Sequence, residues 1–275
     1  IWIFGWNRLS ERTHCIVIWL TAFASNLSAF WILVANSFMQ HPVGYVLNNG
    51  RAEMEDFGAL LTNHYLIGEF SHTFFSAVAT AGFLVIAVSA WKVLHDTSSR
   101  YAFRQTLKAG TIYMFIGLLG AMGSGHMHTQ YLAEANPMKL ASMEALWETE
   151  DPAPFAVYAN INEDAHKNDT ELTIPSLFSF MLYNKPTGEV KGINALQEEL
   201  AQEYGPGDYR PDVTGLFYSF RLMVGLGGLM LLIAFVTFLV SWKKDPSDYP
   251  LLMRAIPWLF PIVFIVNSCG WYIAE

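Results

Sequence analysis

Along the chain, charged side chains withdraw from five stretches, at about 14–37, 66–94, 104–123, 215–242 and 252–275. Each comes close to the ~20 helical residues needed to cross a hydrocarbon core about 30 Å thick. The pattern predicts five membrane-spanning helices. The third is the weakest, being short and rich in glycine ("GLLGAMGSG"). No inverted repeat of the transporter kind is detectable. Between the third and fourth spans the pattern becomes that of a soluble protein. There "AHKNDTELTIP" and "YNKPTGEV" read as turns and short strands or coil, and "GINALQEELAQEYG" as a short amphipathic helix ended by glycine. The expected fold is all-α: a polytopic transmembrane helix bundle with one long extracytoplasmic loop. Three spans lie within 1–125, the loop covers 126–214, and two spans lie within 215–275. An insertion of that length is usually functional or disordered.

Composition agrees. Of 275 residues, 53% are hydrophobic and 15% charged, against about 25% charged in a soluble domain. The sequence starts at Ile1 in apolar sequence and stops at Glu275 inside another apolar run, so it reads as a piece of a longer chain with helices beyond both ends. No signal peptide is recognisable. Nothing resembles a nucleic-acid surface. Cys15 and Cys269 fall toward opposite membrane faces, too far apart for the ~5.5 Å Cα spacing of a disulfide.

Charge sets the orientation, because Lys and Arg collect on the cytoplasmic side. Arg8 and Arg12 precede the first span; Lys92, Arg100, Arg104 and Lys108 join the second to the third; Lys243, Lys244 and Arg254 join the fourth to the fifth. These regions alternate correctly. The opposite connections are acidic: 38–65 carries Arg51 against Glu53, Glu55 and Asp56, and 126–214 carries five Lys/Arg against fifteen Asp/Glu. The net charge of -8 is therefore concentrated in the long outer loop.

Ionisable residues inside a span are functional candidates, since desolvating them is costly. His72 lies about six residues into the second span and Met223 about eight into the fourth, both entering from the outer face. At 1.5 Å per residue they reach similar depths, roughly 10 Å. A histidine and a methionine at equal depth suit the axial pair of a low-spin haem. The bland alternatives are a histidine bonded to a neighbouring helix and a methionine that fills core. Small residues flank both, Ser76, Ala77, Ala79 and Ala81 on one helix and Gly225, Gly227 and Gly228 on the other. They leave room for close helix approach or for a flat macrocycle. Arg221 faces a haem propionate, balances the charge added on haem reduction, or snorkels to the outer surface. Glu275 emerges at the outer face, and Glu69 is a helix-end acid or a partner of His72. His126 and His128, two apart, would not share a helix face. Lys139 and Glu144 lie in "PMKLASMEALWE", with Pro137 in its first turn.

"GWNRLSERTH", "SNLSAFWILVANSFMQHPVG", "NPMKLASMEALWETEDPAP", "YSFRLMVG" and "GWYIAE" together resemble subunit I of the cytochrome bd quinol oxidases. They run in the same order, from about the end of the third family helix through the eighth. The resemblance implies a bacterial inner-membrane, multi-pass subunit that couples oxidation of a membrane quinol to reduction of dioxygen to water and contributes to a proton-motive force. It implies a low-spin haem b, a high-spin haem b and, in the full-length chain, haem d. His72 and Met223 match the low-spin axial ligands and Arg221 the arginine beside them. Glu275 matches the ligand of the high-spin haem b, with Trp271 near it. Lys139 and Glu144 match the quinol-oxidising lysine and glutamate. Ser28 matches a serine on a proton path. Asn7 stands where some members carry an acid, which shifts the path's entrance to Glu11 or puts it in doubt. The loop is of the family's short type. Implied partners are subunit II, a small single-span subunit, membrane quinol and dioxygen. The family's haem d ligand belongs to helices before Ile1. Two other classes compete: a haem-free transporter or channel, and a b-type cytochrome subunit of another redox complex.

Overall fold

A computed structural model of the chain describes residues 1–275. It divides into two units, Ile1–Phe70 and Ser71–Glu275, with the boundary inside one helix.

In the first unit, α1 (Glu11–Gln40) starts at Ser10, whose hydroxyl accepts from the Thr13 N–H. A hairpin follows, β1 (Tyr45–Asn48) with β2 (Arg51–Met54), and then the short α2 (Phe57–Leu61). The hairpin turns on Asn49 and Gly50, both at positive φ, as a two-residue turn between twisted strands requires. Asn63 then serves two helix ends at once. Its amide donates to the carbonyls of Ser37 and His41 at the end of α1, and its oxygen accepts the Tyr65 N–H as α3 (His64–His95) begins. Leu33, Val34, Leu60 and Leu66 close this small core.

In the second unit, the rest of α3 packs on α4 (Arg100–Ala135). Both helices carry small residues where they meet. A Cβ at Gly82 would overlap the Met114 backbone, and one at Gly117 the Ala79 backbone. The glycine-rich third span is thus a packing device that lets two backbones touch. α5 (Pro137–Glu144), β3 (Phe155–Asn162), β4 (Lys167–Ile174), α6 (Leu177–Tyr183) and α7 (Ile193–Tyr204) build the outer segment. The chain then returns through α8 (Val213–Lys243), a 3-10 turn, α9 (Pro250–Leu259) and α10 (Ile262–Ala274). Phe83, Ile86, Met114, Ile233, Met253 and Val263 form the core shared by these long helices. Five helical stretches are long and apolar enough to cross a membrane, as expected of a multi-pass membrane protein.

Two boundaries differ from expectation. The third span continues as helix to Ala135, well past residue 123, and carries His126 and His128 on its extension. The fifth divides between α9 and α10. Proline lacks an N–H and clashes with the preceding turn. Around Pro257 and Pro261 the bonds accordingly tighten to Phe260 N–H→Pro257 O and Phe264 N–H→Pro261 O.

The outer segment is ordered. Asn136 caps α5 through the Lys139 N–H, with Pro137 at the first helical position. Met138, Ala141 and Trp147 pack with Ala156, Ile193 and Phe217, so α5 and the segment after it are enclosed by β3, α7 and the start of α8.

Candidate functional site

The start of α8 positions its one charged interior residue. Asp212 caps the helix through the Gly215 N–H, and two turns further on Arg221 meets the outer segment. Its Nη2 donates to Glu144 Oε2 at 2.6 Å, its Nη1 to the Met143 carbonyl at 3.3 Å, and its Nε to the Ala156 carbonyl at 2.6 Å. The rings of Phe155 and Phe217 lie 4.2 and 4.3 Å from the guanidinium carbon. The two charged side chains are only 12% and 3% exposed. Desolvating a guanidinium is offset here by a two-point carboxylate contact, backbone acceptors and aromatic faces. No role read from the sequence for Arg221 included Glu144, which lies 77 positions away. Burial pushes the Glu144 carboxyl up to about 7, against the opposing pull of the Arg221 charge and hydrogen bonds.

Glu144 ends α5 in a distinctive turn. Ala145 adopts φ 49°, ψ 38°, the left-handed conformation usually left to glycine. Leu146 N–H bonds the Ala141 carbonyl and Ala145 N–H the Ser142 carbonyl, the two closures of a Schellman end. Alanine in this conformation costs about 1–2 kcal/mol. Bonds from two other elements hold the turn. From β4, Asn168 donates to the Ala145 carbonyl at 3.0 Å and accepts from the Trp147 indole at 3.0 Å. From the start of α7, the Ile193 and Asn194 N–H groups reach the Leu146 and Trp147 carbonyls. A cavity of about 190 Å³ opens beside this turn, lined by Glu144, Trp147, Glu150, His166 and Glu171 among others.

His72, on α3, points its ring at α4. Its Nδ1 lies 2.9 Å from the Ala121 carbonyl; a carbonyl only accepts, so Nδ1 carries the proton and Nε2 keeps its lone pair. Glycine at residue 125 leaves the ring its room: a Cβ there would stand 3.0 Å from Nδ1 and crowd it. A metal-binding histidine needs this arrangement, one nitrogen tied to a carbonyl and the other available. Met223, on α8, brings its sulfur to 3.6 Å from where a Cβ of Gly270 would be. Just beyond it, added Cβ atoms at Gly225, Gly227 and Gly228 would meet nothing within 4 Å. An imidazole nitrogen and a thioether are the donor set of the low-spin haem expected from the sequence, and the three glycines leave α8 uncrowded beyond Met223.

The remaining candidates disperse. Lys139 and Glu144 share α5 but reach different helices: the Lys139 ammonium donates to the Ala274 carbonyl at 3.0 Å, at the end of α10 and next to Glu275. Glu275 and Trp271 are exposed on this chain, as is Ser28 on α1. His128 sits on α4 within electrostatic reach of His72 and Lys139, and His126 bonds Gln130 one turn on. Glu69 is buried. Two contributors escaped the sequence reading. One is Asn168, an unremarked polar residue in a coil-like stretch. The other is the Tyr272–Asp212 hydrogen bond joining α10 to the start of α8. Neither carries a local signal, because both depend on partners distant in sequence.

The sequence model of cytochrome bd terminal oxidase subunit I matches residues 1–275. The chain is 43% identical, over 279 aligned residues, to the cytochrome bd ubiquinol oxidase subunit 1 of Bacillus subtilis (strain 168), covering 100% of this chain and 59% of that protein. It is 29% identical over 334 residues to the cytochrome bd-II ubiquinol oxidase subunit 1 of Escherichia coli (strain K12), covering 100% of this chain and 65% of that protein. The bd oxidase structure from Geobacillus thermodenitrificans superposes with a TM-score of 0.84 at 26% identity, over 100% of this chain and 61% of that one. The chain therefore spans about three fifths of the length of these relatives. A match across every residue, joined to five helices long and apolar enough to cross a membrane, leads to one conclusion: the chain belongs to the cytochrome bd terminal oxidase subunit I family.

Proposed function

We propose that this chain supplies the quinol-oxidising site and the low-spin haem b site of a terminal oxidase that reduces dioxygen to water. His72 and Met223 would hold the low-spin haem b, and Glu275, with Trp271 beside it, would ligate the high-spin haem b. Haem d would be held by helices of the full-length protein outside this chain. When bound, these groups carry electrons from quinol to dioxygen. The chain's own residues handle binding and protons. Glu144, fixed by Arg221 and with a carboxyl near neutrality, is matched to accept a proton from a quinol hydroxyl at working pH. Lys139 gives the same segment a cation on the α10 side. Ser28 would line a path for protons drawn from the cytoplasm. Releasing protons outside while consuming protons from inside builds a membrane potential. The partners would be subunit II and a small single-span subunit, with quinol arriving from the membrane.

The observation that carries this reading is the His72 ring, with Nδ1 committed to the Ala121 carbonyl and Nε2 available, in a chain whose family is a haem oxidase subunit. The test is a reduced-minus-oxidised visible spectrum of the full-length oxidase carrying His72→Ala. Loss of the low-spin haem b band, with the protein still in the membrane, is the expected result. A retained band would remove His72 as ligand.

A further inference from the structure

The Glu144 carboxylate is aimed only as well as the turn that follows it. That turn places alanine at a left-handed position, where only glycine is comfortable unless the surroundings hold the backbone. We propose that Asn168 is a positioning residue for quinol oxidation: its amide, presented by the β3–β4 hairpin, holds the Ala145 carbonyl and so keeps Glu144 on Arg221. This rests on the reading of Glu144 as the proton acceptor.

The amide is fixed in one orientation. Its nitrogen donates to Ala145 O and to Glu171 Oε2 at 2.8 Å, while its oxygen accepts from the Trp147 indole. Flipping it would set an oxygen against two acceptors and a nitrogen against a donor. The bonds also close a circuit. Arg221 holds Glu144, and the adjacent Ala145 is held by Asn168. Asn168 pairs with Ile161 in the hairpin, and β3 returns to Arg221 through the Ala156 carbonyl. Breaking the circuit at Asn168 leaves Glu144, Arg221 and Lys139 themselves unchanged and removes the restraint on residue 145, along with the bonds to the Trp147 indole and the Glu171 carboxylate.

The test uses the full-length oxidase with its partner subunit, comparing dioxygen uptake driven by a short-chain ubiquinol with uptake driven by ascorbate and tetramethyl-p-phenylenediamine. Asn168→Ala should lower kcat/KM for the quinol about tenfold or more, as misplacement of a catalytic group does, and leave uptake from the artificial donor within about twofold. Adding Ala145→Gly, which needs no clamp to occupy the left-handed region, should restore most of the quinol rate. Wild-type quinol turnover in Asn168→Ala would overturn the proposal, as would equal loss with both donors that Ala145→Gly leaves unrepaired. If the single variant does not assemble, the double variant decides. Assembly with quinol activity supports the clamp, and failure to assemble or to oxidise quinol counts against it. Glu144→Gln measured alongside separates the two claims. Retained quinol turnover there removes the reading of Glu144, whereas its loss beside a fully active Asn168→Ala removes Asn168 alone.

Discussion

Arg221 and Glu144 each make the other tolerable, and that mutual dependence dictates how they respond to substitution. Removing the guanidinium leaves a carboxylate buried without a cation, which costs about 3–5 kcal/mol. Arg221→Leu should therefore loosen the outer segment, seen as faster amide exchange through α5. Arg221→Lys should fare little better, because an ammonium cannot make the two-point contact and also reach the Ala156 carbonyl. The pH profile follows from the Glu144 carboxyl being pushed up to about 7. A base must be ionised, so quinol kcat/KM should fall about tenfold per pH unit below that value. In Glu144→Gln the acid limb should vanish and the rate stay low at every pH; a persisting limb would assign it to another group. At this scale the sequence was partly legible. The cost of a charge at 221 could be read locally. The identity of Arg221's partner could not, because burial in three dimensions decides it.

At the scale of elements, the contact between α3 and α4 determines where His72 points. Two glycines on α4 test it with opposite expectations. Gly125→Ala brings a methyl to 3.0 Å from the imidazole Nδ1, a crowding the ring can relieve by a small shift. The protein should assemble and the band of the low-spin haem b proposed for His72 should move. Gly117→Val drives side-chain atoms into the Ala79 backbone, which no rotamer relieves, so the helices must separate. Expected there is a drop in membrane-inserted protein, read by immunoblot of the membrane fraction. Equal behaviour of the two variants would mean that the packing does not orient the histidine. The glycine-rich run that made 104–123 look the least convincing span is the same run that seats α4 on α3. Hydropathy averages it as weakness, whereas contact turns it into proximity. The extension of α4 to Ala135 escaped for a related reason: "GSGHMHTQ" loses apolarity before it loses helix. By contrast, the Asn49–Gly50 turn signal was present in the sequence, and the hairpin it makes went unread.

Across the whole molecule, charge asymmetry orients the chemistry. In the second unit the basic connections gather at one end of the long helices, where Arg104 also pairs with Asp245 at 3.0 Å. The acidic segment 126–214, with Glu144 inside it, lies at the other. The rule that Lys and Arg stay cytoplasmic then puts the Glu144 proton outside. Single thiols can check this after Cys15 and Cys269, both free, are replaced by serine. Glu203, exposed on α7, and Lys244, exposed just after α8, mark the two ends. A membrane-impermeant maleimide applied to intact cells with an opened outer layer should label Glu203→Cys and spare Lys244→Cys until the inner membrane is broken. The reverse pattern would place the proposed quinol-oxidising segment in the cytoplasm. On the proposed function, protons released at Glu144 would then return to the compartment from which water formation draws them, and the proposed oxidase would turn over without charging the membrane.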